Sequence, residues 1–469
     1  MKKKYFYHGN LIIIILFVLL IMPNKAGSQP TATIHWMQGI PQSIYSNPGL
    51  KPDARIYIGM PGFSSSYMGV AHNGFRIDDL FPKENGTFVY DEDNMLDKLN
   101  DNNYFKFDYQ HEILAFGFRY YENQFSFNLT EKTNARIGYS KDFMKLMLKG
   151  NDVFREMERP ANFDGSGLDA TYYRELGFGY SREWMDQLRA GARAKVLFGL
   201  GNIHFERADF SLNTHPDTYD LNLHSNLLIN TSNPFIIDID KDEDIIDADF
   251  DPADFITNTQ NLGFAIDLGG VYDIDERFSV GLSLIDLGFI NWNSGVDNIE
   301  MEGEFDFEGF DLQKYFDDEE YFDDLGDTML DSIREIFDPV QTSDSYRTML
   351  PTRILLSGTY NISDIHKAGL SLQGEFFDGN FYPSFTAAYS IQPIPQIGGS
   401  ISYSLIHQNF ANVGLGFHFN LYPLQIYFAT DNFIPAMQPH TIQTTSFQVG
   451  INLLIDYMHH DTARPLHCW

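Results

Sequence analysis

The sequence predicts an all-β protein: a transmembrane, antiparallel, up-and-down β-barrel of 14–16 strands, with an N-terminal plug in the lumen and helical outer loops. Three observations predict it. The first is alternation. In 412–421 the apolar residues Val413, Leu415, Phe417, Phe419 and Leu421 are separated by Asn412, Gly414, Gly416, His418 and Asn420. In 446–455 Phe447, Val449, Ile451, Leu453 and Ile455 alternate in the same way, and 367–376 follows the pattern. Successive strand residues point to opposite faces, so each segment has one oily face and one polar or empty face. The second is an aromatic content of 15%, with 41 Phe and 26 Tyr, which suits a barrel girdled by rings at both membrane interfaces. The third is the sorting of connections. Starting from a hairpin at 121–123, every second connection is short: Arg182–Asp186, His215–Thr218, Ile274–Arg277, Ile362–His366, Gln392–Gln396 and Tyr422-Pro423. The three very long ones, about 139–167, 231–260 and 290–351, fall on the other side. Outer-membrane barrels have short periplasmic turns and long outer loops, which places the chain in a bacterial outer membrane with the long connections outside.

The net charge of −32 argues against nucleic acid and anionic membrane surfaces as partners. Large acidic loops in water account for it better. Cys468 is the sole cysteine, so no disulfide can form within the chain.

Taken in order, residues 1–28 read as a secretory signal: Lys2, Lys3 and Lys4, the apolar run Leu11–Met22, then Ala26-Gly27-Ser28. Residues 29–62 are dense in Pro and Gly, which disfavours helix and central strand alike. Yet Trp36, Met37, Ile40, Ile44 and Tyr45 need somewhere dry, so this stretch is expected to plug the lumen. Residues 63–457 are expected to form the barrel and 458–469 a tail. Sixteen segments qualify as strands, among them 66–75, 111–120, 187–198, 202–213 and 219–230, the last three counted separately. Ser140–Gly150 and Asp324–Phe337 each carry an apolar helical face, and 94–99 reads as a further short helical turn.

Ser46-Asn47-Pro48-Gly49-Leu50, followed by Arg55–Gly59 and Pro61-Gly62, resembles the start of a family of Bacteroidota outer-membrane barrels of unknown function. That family is itself similar to the long-chain fatty-acid transporters and to PorV-type barrels. Leu268–Tyr272 and Ile285–Trp292 resemble its paired strands. The resemblance implies fourteen strands and a lumenal hatch. In the relatives an Asn-Pro-Ala motif lies in that hatch; Asn47 and Pro48 match its first two positions, and Gly49 stands where they have alanine. Trp36, Asn47, Pro48 and Gly49 are therefore the expected plug residues.

Two constellations could carry chemistry. On 187–198, Arg189, Arg193 and Lys195 share the face opposite Leu188, Ala190, Ala192, Ala194, Val196 and Phe198. Charges are costly against lipid, so this basic stripe faces the lumen. It either docks a carboxylate head group or pairs with inward acids such as Asp267 or Glu375, or with the plug. The acidic run 238–254 includes Asp238, Asp240, Asp242 and Asp249. Glu243 and Asp249 occupy the sixth and twelfth positions, where an EF-hand needs glycine and glutamate. The run is then either a solvated loop or a loose calcium site. No Gly-x-Ser-x-Gly, Walker loop or His-Glu-x-x-His is present, and His459-His460 lies in the tail; neither an enzyme nor a cofactor is expected. The leading expectation is passage or capture of a hydrophobic or amphipathic small molecule. The alternative is a non-transporting scaffold or carrier for partner proteins at the surface. Outer-membrane lipid is a partner in either case.

Overall fold

A computed structural model describes residues 32–37, 39–232, 236–237, 246–247, 257–307, 339–377, 379–406 and 409–457. The expected signal, the tail, the helix at 324–337 and the four acidic metal candidates Asp238, Asp240, Asp242 and Asp249 lie outside the described residues.

Fourteen antiparallel strands close into a barrel. They are β1 (Ala54–Gly59 with Ser65–His72), β2 (Asn102–Tyr120), β3 (Asn123–Ser140), β4 (Gly167–Met185), β5 (Leu188–Thr214), β6 (Asn261–Asp273), β7 (Phe278–Trp292), β8 (Tyr346–Met349 with Thr352–Asn361), β9 (His366–Phe377), β10 (Asn380–Ile394), β11 (Ile397–Ile406), β12 (Asn409–Leu421), β13 (Leu424–Thr430) and β14 (Thr444–Tyr457). Each pairs with its neighbours, and both parts of β1 pair with β14, which removes the free edges. Alternation sorts the faces as expected: Phe417 is 45% exposed and Phe419 46%, whereas His418 between them is 5% exposed.

Two sequence-based expectations need correction. The first concerns strand count. Segments 187–198 and 202–213 are one strand, β5, 27 residues long. A band about 25 Å tall crossed at roughly 40° takes only about 10 residues. From Asn202 onward β5 changes partner, from β6 to a separate strand, Leu221–Ser232. That strand pairs in turn with Val296–Phe307. These residues make a sheet that stands beyond the barrel. Sixteen therefore becomes fourteen, and the turn His215–Thr218 moves from the short-turn end to the long-loop end. The other short turns, at 121–122, 186–187, 274–277, 362–365, 395–396 and 422–423, share the opposite end. The second concerns the N-terminal boundary. Residues 54–59 were expected in the plug but form the first part of β1. The proline-rich stretch ends at Pro52, and Ala54–Gly59 has the alternation to join a ladder.

At the long-loop end a helix spans Lys141–Lys149. The Ser140 side chain caps it by accepting from the Phe143 N–H at 3.0 Å. Gly150 ends it at φ +75°, where only glycine sits without strain. Its Met144 and Leu148 pack on Met95, Leu96 and Leu99 of a second helix region, Glu92–Lys98 and its end.

Candidate functional site

The described part of the N-terminal segment, from residue 32 to about 50, lies inside the barrel. Its contacts reach strands all round the ring. The Thr33 backbone N–H donates to Asp431 (2.7 Å), and its hydroxyl lies 2.9 Å from that of Ser402 on β11. The Trp36 ring lies over Gly369 of β9, where an added Cβ would meet it at 2.0 Å. Ser390 of β10 donates to the Trp36 carbonyl at 3.0 Å. Met37 lies against Gly416 of β12. Gln42 bonds Asn452 of β14 and Glu112 of β2, at 2.9 and 3.0 Å. Two short 3₁₀ turns, Ile34–Trp36 and Pro41–Tyr45, let so proline-rich a stretch fold compactly. Ile34, Met37 and Ile40 are buried with Tyr427 and Ala429, and Ile44 with Tyr57 and Ala115. The facing wall is lined with buried small residues such as Ser371, Ser400 and Ser402, which leave the volume that the segment fills.

Asn47, Pro48 and Gly49 sit in a glycine cradle. The Asn47 amide donates to the carbonyls of Gly270 (3.2 Å) and Leu282 (3.4 Å), and its oxygen accepts from the Gly49 N–H (2.8 Å). A Cβ on Gly49 would lie 2.7 Å from the Gly270 Cα, and one on Gly269 would lie 2.3 Å from the Asn47 oxygen. Glycine at position 49 thus has a steric reason in this chain.

Glu112 joins the segment to the wall. Its carboxylate accepts from Gln42, from the Tyr45 hydroxyl and from the Ser64 hydroxyl. Ser64 ends the break in β1. Residues 60–64 bulge there, with Phe63 66% exposed on the outside. The facing strand β2 slips register beside Glu112.

A layer of buried charge crosses the lumen. Lys195 reaches Asp286 (2.5 Å), Asp267 (2.7 Å) and Glu175 (3.7 Å). Arg193 reaches Asp267 (2.8 Å) and Glu175 (3.4 Å). Lys132 reaches Glu175 (2.6 Å) and Asp286 (3.7 Å), and Arg353 reaches Asp286 (2.5 Å). Lys106 pairs separately with Glu375 (2.8 Å) and Asp108 (3.4 Å). A bulge in the β6–β7 ladder makes the centre possible, since it turns Asp286 inward at φ +59°, a conformation open to Asp. Toward the long-loop end, Tyr173, Leu197, Ala265, Ile290, Trp292 and Leu350 pack as an apolar layer.

Of the basic stripe, Arg193 and Lys195 lie in this charged layer, while Arg189 lies nearer the short-turn end and pairs with Asp273 at 3.1 Å. Sequence reasoning missed Glu112, Lys132, Glu175, Asp286 and Arg353. Lys132 and Glu175 do occupy the inward phase of alternating strands, a signal that was available. Asp286 does not, because the bulge shifts its phase.

Fold and lumen define a class: a fourteen-stranded barrel whose interior is occupied by its own N-terminal segment and crossed by a paired charge layer. The chain belongs to the Family of unknown function (DUF5723), whose model matches residues 48–431. No curated protein matches it. Similar solved structures include the Ralstonia pickettii toluene transporter TbuX (10% identity, 89% of this chain and 94% of that one, TM-score 0.41). Others are a Pseudomonas aeruginosa FadL homologue (11%, 92% and 100%, 0.43) and the P. putida toluene transporter TodX (8%, 89% and 94%, 0.39).

Proposed function

We propose that the chain is a gated barrel of a bacterial outer membrane, closed in the conformation described, which admits a hydrophobic or amphipathic small molecule. One feature supports this above others. The inner segment is fastened to the wall where β1 is broken, through a carboxylate that both share. Tyr45 and Gln42 hold Glu112 from inside and Ser64 holds it from the break. Displacing the segment would free Glu112 and loosen the bulge together, so plug and wall can move as one. The segment is then a plug rather than a leader. Deleting 36–50 while keeping the signal is expected to leave an assembled barrel with raised conductance in planar bilayers, and cells more sensitive to bulky antibiotics. An assembled deletion with unchanged conductance and sensitivity would refute the gate.

A second reading, a surface scaffold, is favoured by the sheet that β5 carries beyond the barrel. Deleting 203–230 would abolish partner capture in a scaffold but leave conductance alone. Both readings put the long-loop end outside. Protease added to intact cells is expected to cut at 215–220 or between β7 and β8, and to spare 274–277 and 362–365. Cleavage that waits for permeabilised membranes would invert the topology.

A further inference from the structure

We infer that Arg347, on the outer face of the wall near the long-loop end, clamps the head-group phosphate of a membrane lipid. Away from the short turns, the outward positions of the wall carry three charged side chains among the described residues: Glu131, Arg174 and Arg347. Glu131 and Arg174 face each other across β3 and β4 and pair at 2.5 Å, and the Tyr172 hydroxyl donates to the same carboxylate at 2.9 Å. Arg347 has no such partner. Its Nε–H donates to the Asn291 side-chain oxygen at 2.7 Å, and its guanidinium lies 4.3 Å from the centre of the Phe289 ring. Its two terminal amino groups make no hydrogen bond or ion pair among the described residues. A guanidinium fixed at its base and open at its fork can take two phosphate oxygens at once.

The position selects a lipid. From Phe278 to Asn291 β7 climbs about 30 Å, at roughly 2.5 Å of height per residue of a strand tilted by about 40°. Asn291 and Arg347 are register partners, so the fork stands just above an apolar band about 25 Å tall, at the level of lipid head groups. Below it the same face is apolar. Phe289 pairs with Met349 on one side and with Phe264 on the other, and Met349 is 61% and Phe264 54% exposed. A phosphate on the fork would leave its acyl chains over these side chains, on the surface that already meets lipid. The carboxylates of the charged layer lie on the other side of the wall, and Asp344, on the loop before β8, makes no ion pair with Arg347. The net charge of −32 opposes an anionic surface as a whole, but acids further off than about 10 Å are screened, and here one phosphate meets one cation. The inference rests on the barrel lying in a membrane and not on the gate.

The test uses the purified full-length barrel in a neutral detergent, with phosphatidic acid and diacylglycerol of the same acyl chains as probes, and native mass spectrometry to count bound lipid. The first phosphatidic acid is expected to bind at least about tenfold more tightly than diacylglycerol. Arg347→Gln should lose that preference and still assemble, since it breaks no ion pair; the fast-migrating unheated band checks assembly. Arg347→Lys keeps the charge without the fork and should fall between the two. A Glu131→Gln/Arg174→Gln double variant, which removes the other outward charges together, should bind as the parent does. Equal binding of the two lipids by the parent, an unchanged preference in Arg347→Gln, or a lysine variant as tight as the parent would overturn the clamp. Full displacement of the lipid by inorganic phosphate would overturn it as well, by making the site one for a free anion. Lipid counting reads the outer face alone, so this result stands apart from the conductance test of the gate.

Discussion

Lys195→Met is expected to destabilise the folded barrel by about 3–5 kcal/mol, the cost of removing one partner from a fully buried ion pair. Lys195 is 2% exposed and lies against Asp267 and Asp286 at 2.7 and 2.5 Å. Methionine fills most of the space but leaves both buried carboxylates facing less positive charge. Asp267 keeps Arg193, and Asp286 keeps Arg353 and Lys132, so the barrel should weaken rather than fail. Lys195→Met with Asp286→Asn should recover part of the loss, since Asn also adopts the positive φ that Asp286 needs. The check is the urea midpoint, read as loss of the fast-migrating unheated band on a detergent gel. A single variant as stable as the parent would mean that the charged layer is hydrated and contributes little.

Leu415→Arg is expected to block assembly, at about 2–4 kcal/mol for an arginine against the membrane midplane. Its neighbour gives the contrast. Gly416 faces the lumen, and a Cβ there would lie 2.2 Å from the Met37 sulfur. Gly416→Arg should therefore assemble but push Met37 and its neighbours out of place, giving a folded, leaky barrel. Yields of assembled protein from the two variants decide the faces, and bilayer conductance of Gly416→Arg reads the displacement. Equal yields would show that the register of β12 is wrong.

The barrel itself was legible because alternation is local. Each strand from β6 to β14 announces its own two faces. The error over 202–213 has the same root: β5 keeps alternating after it has left the barrel, because there it still has a face to cover. Nothing in its sequence marks where β6 gives way to Leu221–Ser232 as the partner. Asn47 and Pro48 could be read as a motif, but not their cradle, since Gly269 and Gly270 lie more than two hundred residues away. The basic stripe was visible on one strand. Its partners come from β4, β6 and β7, and one of them reaches the lumen through a bulge that breaks the period on which the reading depends.

The ring closes where Ala54 meets Tyr457, at nearly opposite ends of the chain. The N-terminal segment is also held by the last strands, through Gln42 to Asn452, Gly39 to Gln425 and Thr33 to Asp431. No described gap in the wall would let it enter afterwards. The order of events is thus constrained: the N-terminal segment must wait, unpartnered, until the final hairpin is in place, and only then can the sheet wrap around it. Such late long-range pairing is intrinsically slow. The N-terminal segment serves as the mandrel on which the cylinder is rolled, and its proline-stiffened turns give it a shape to hold during that wait.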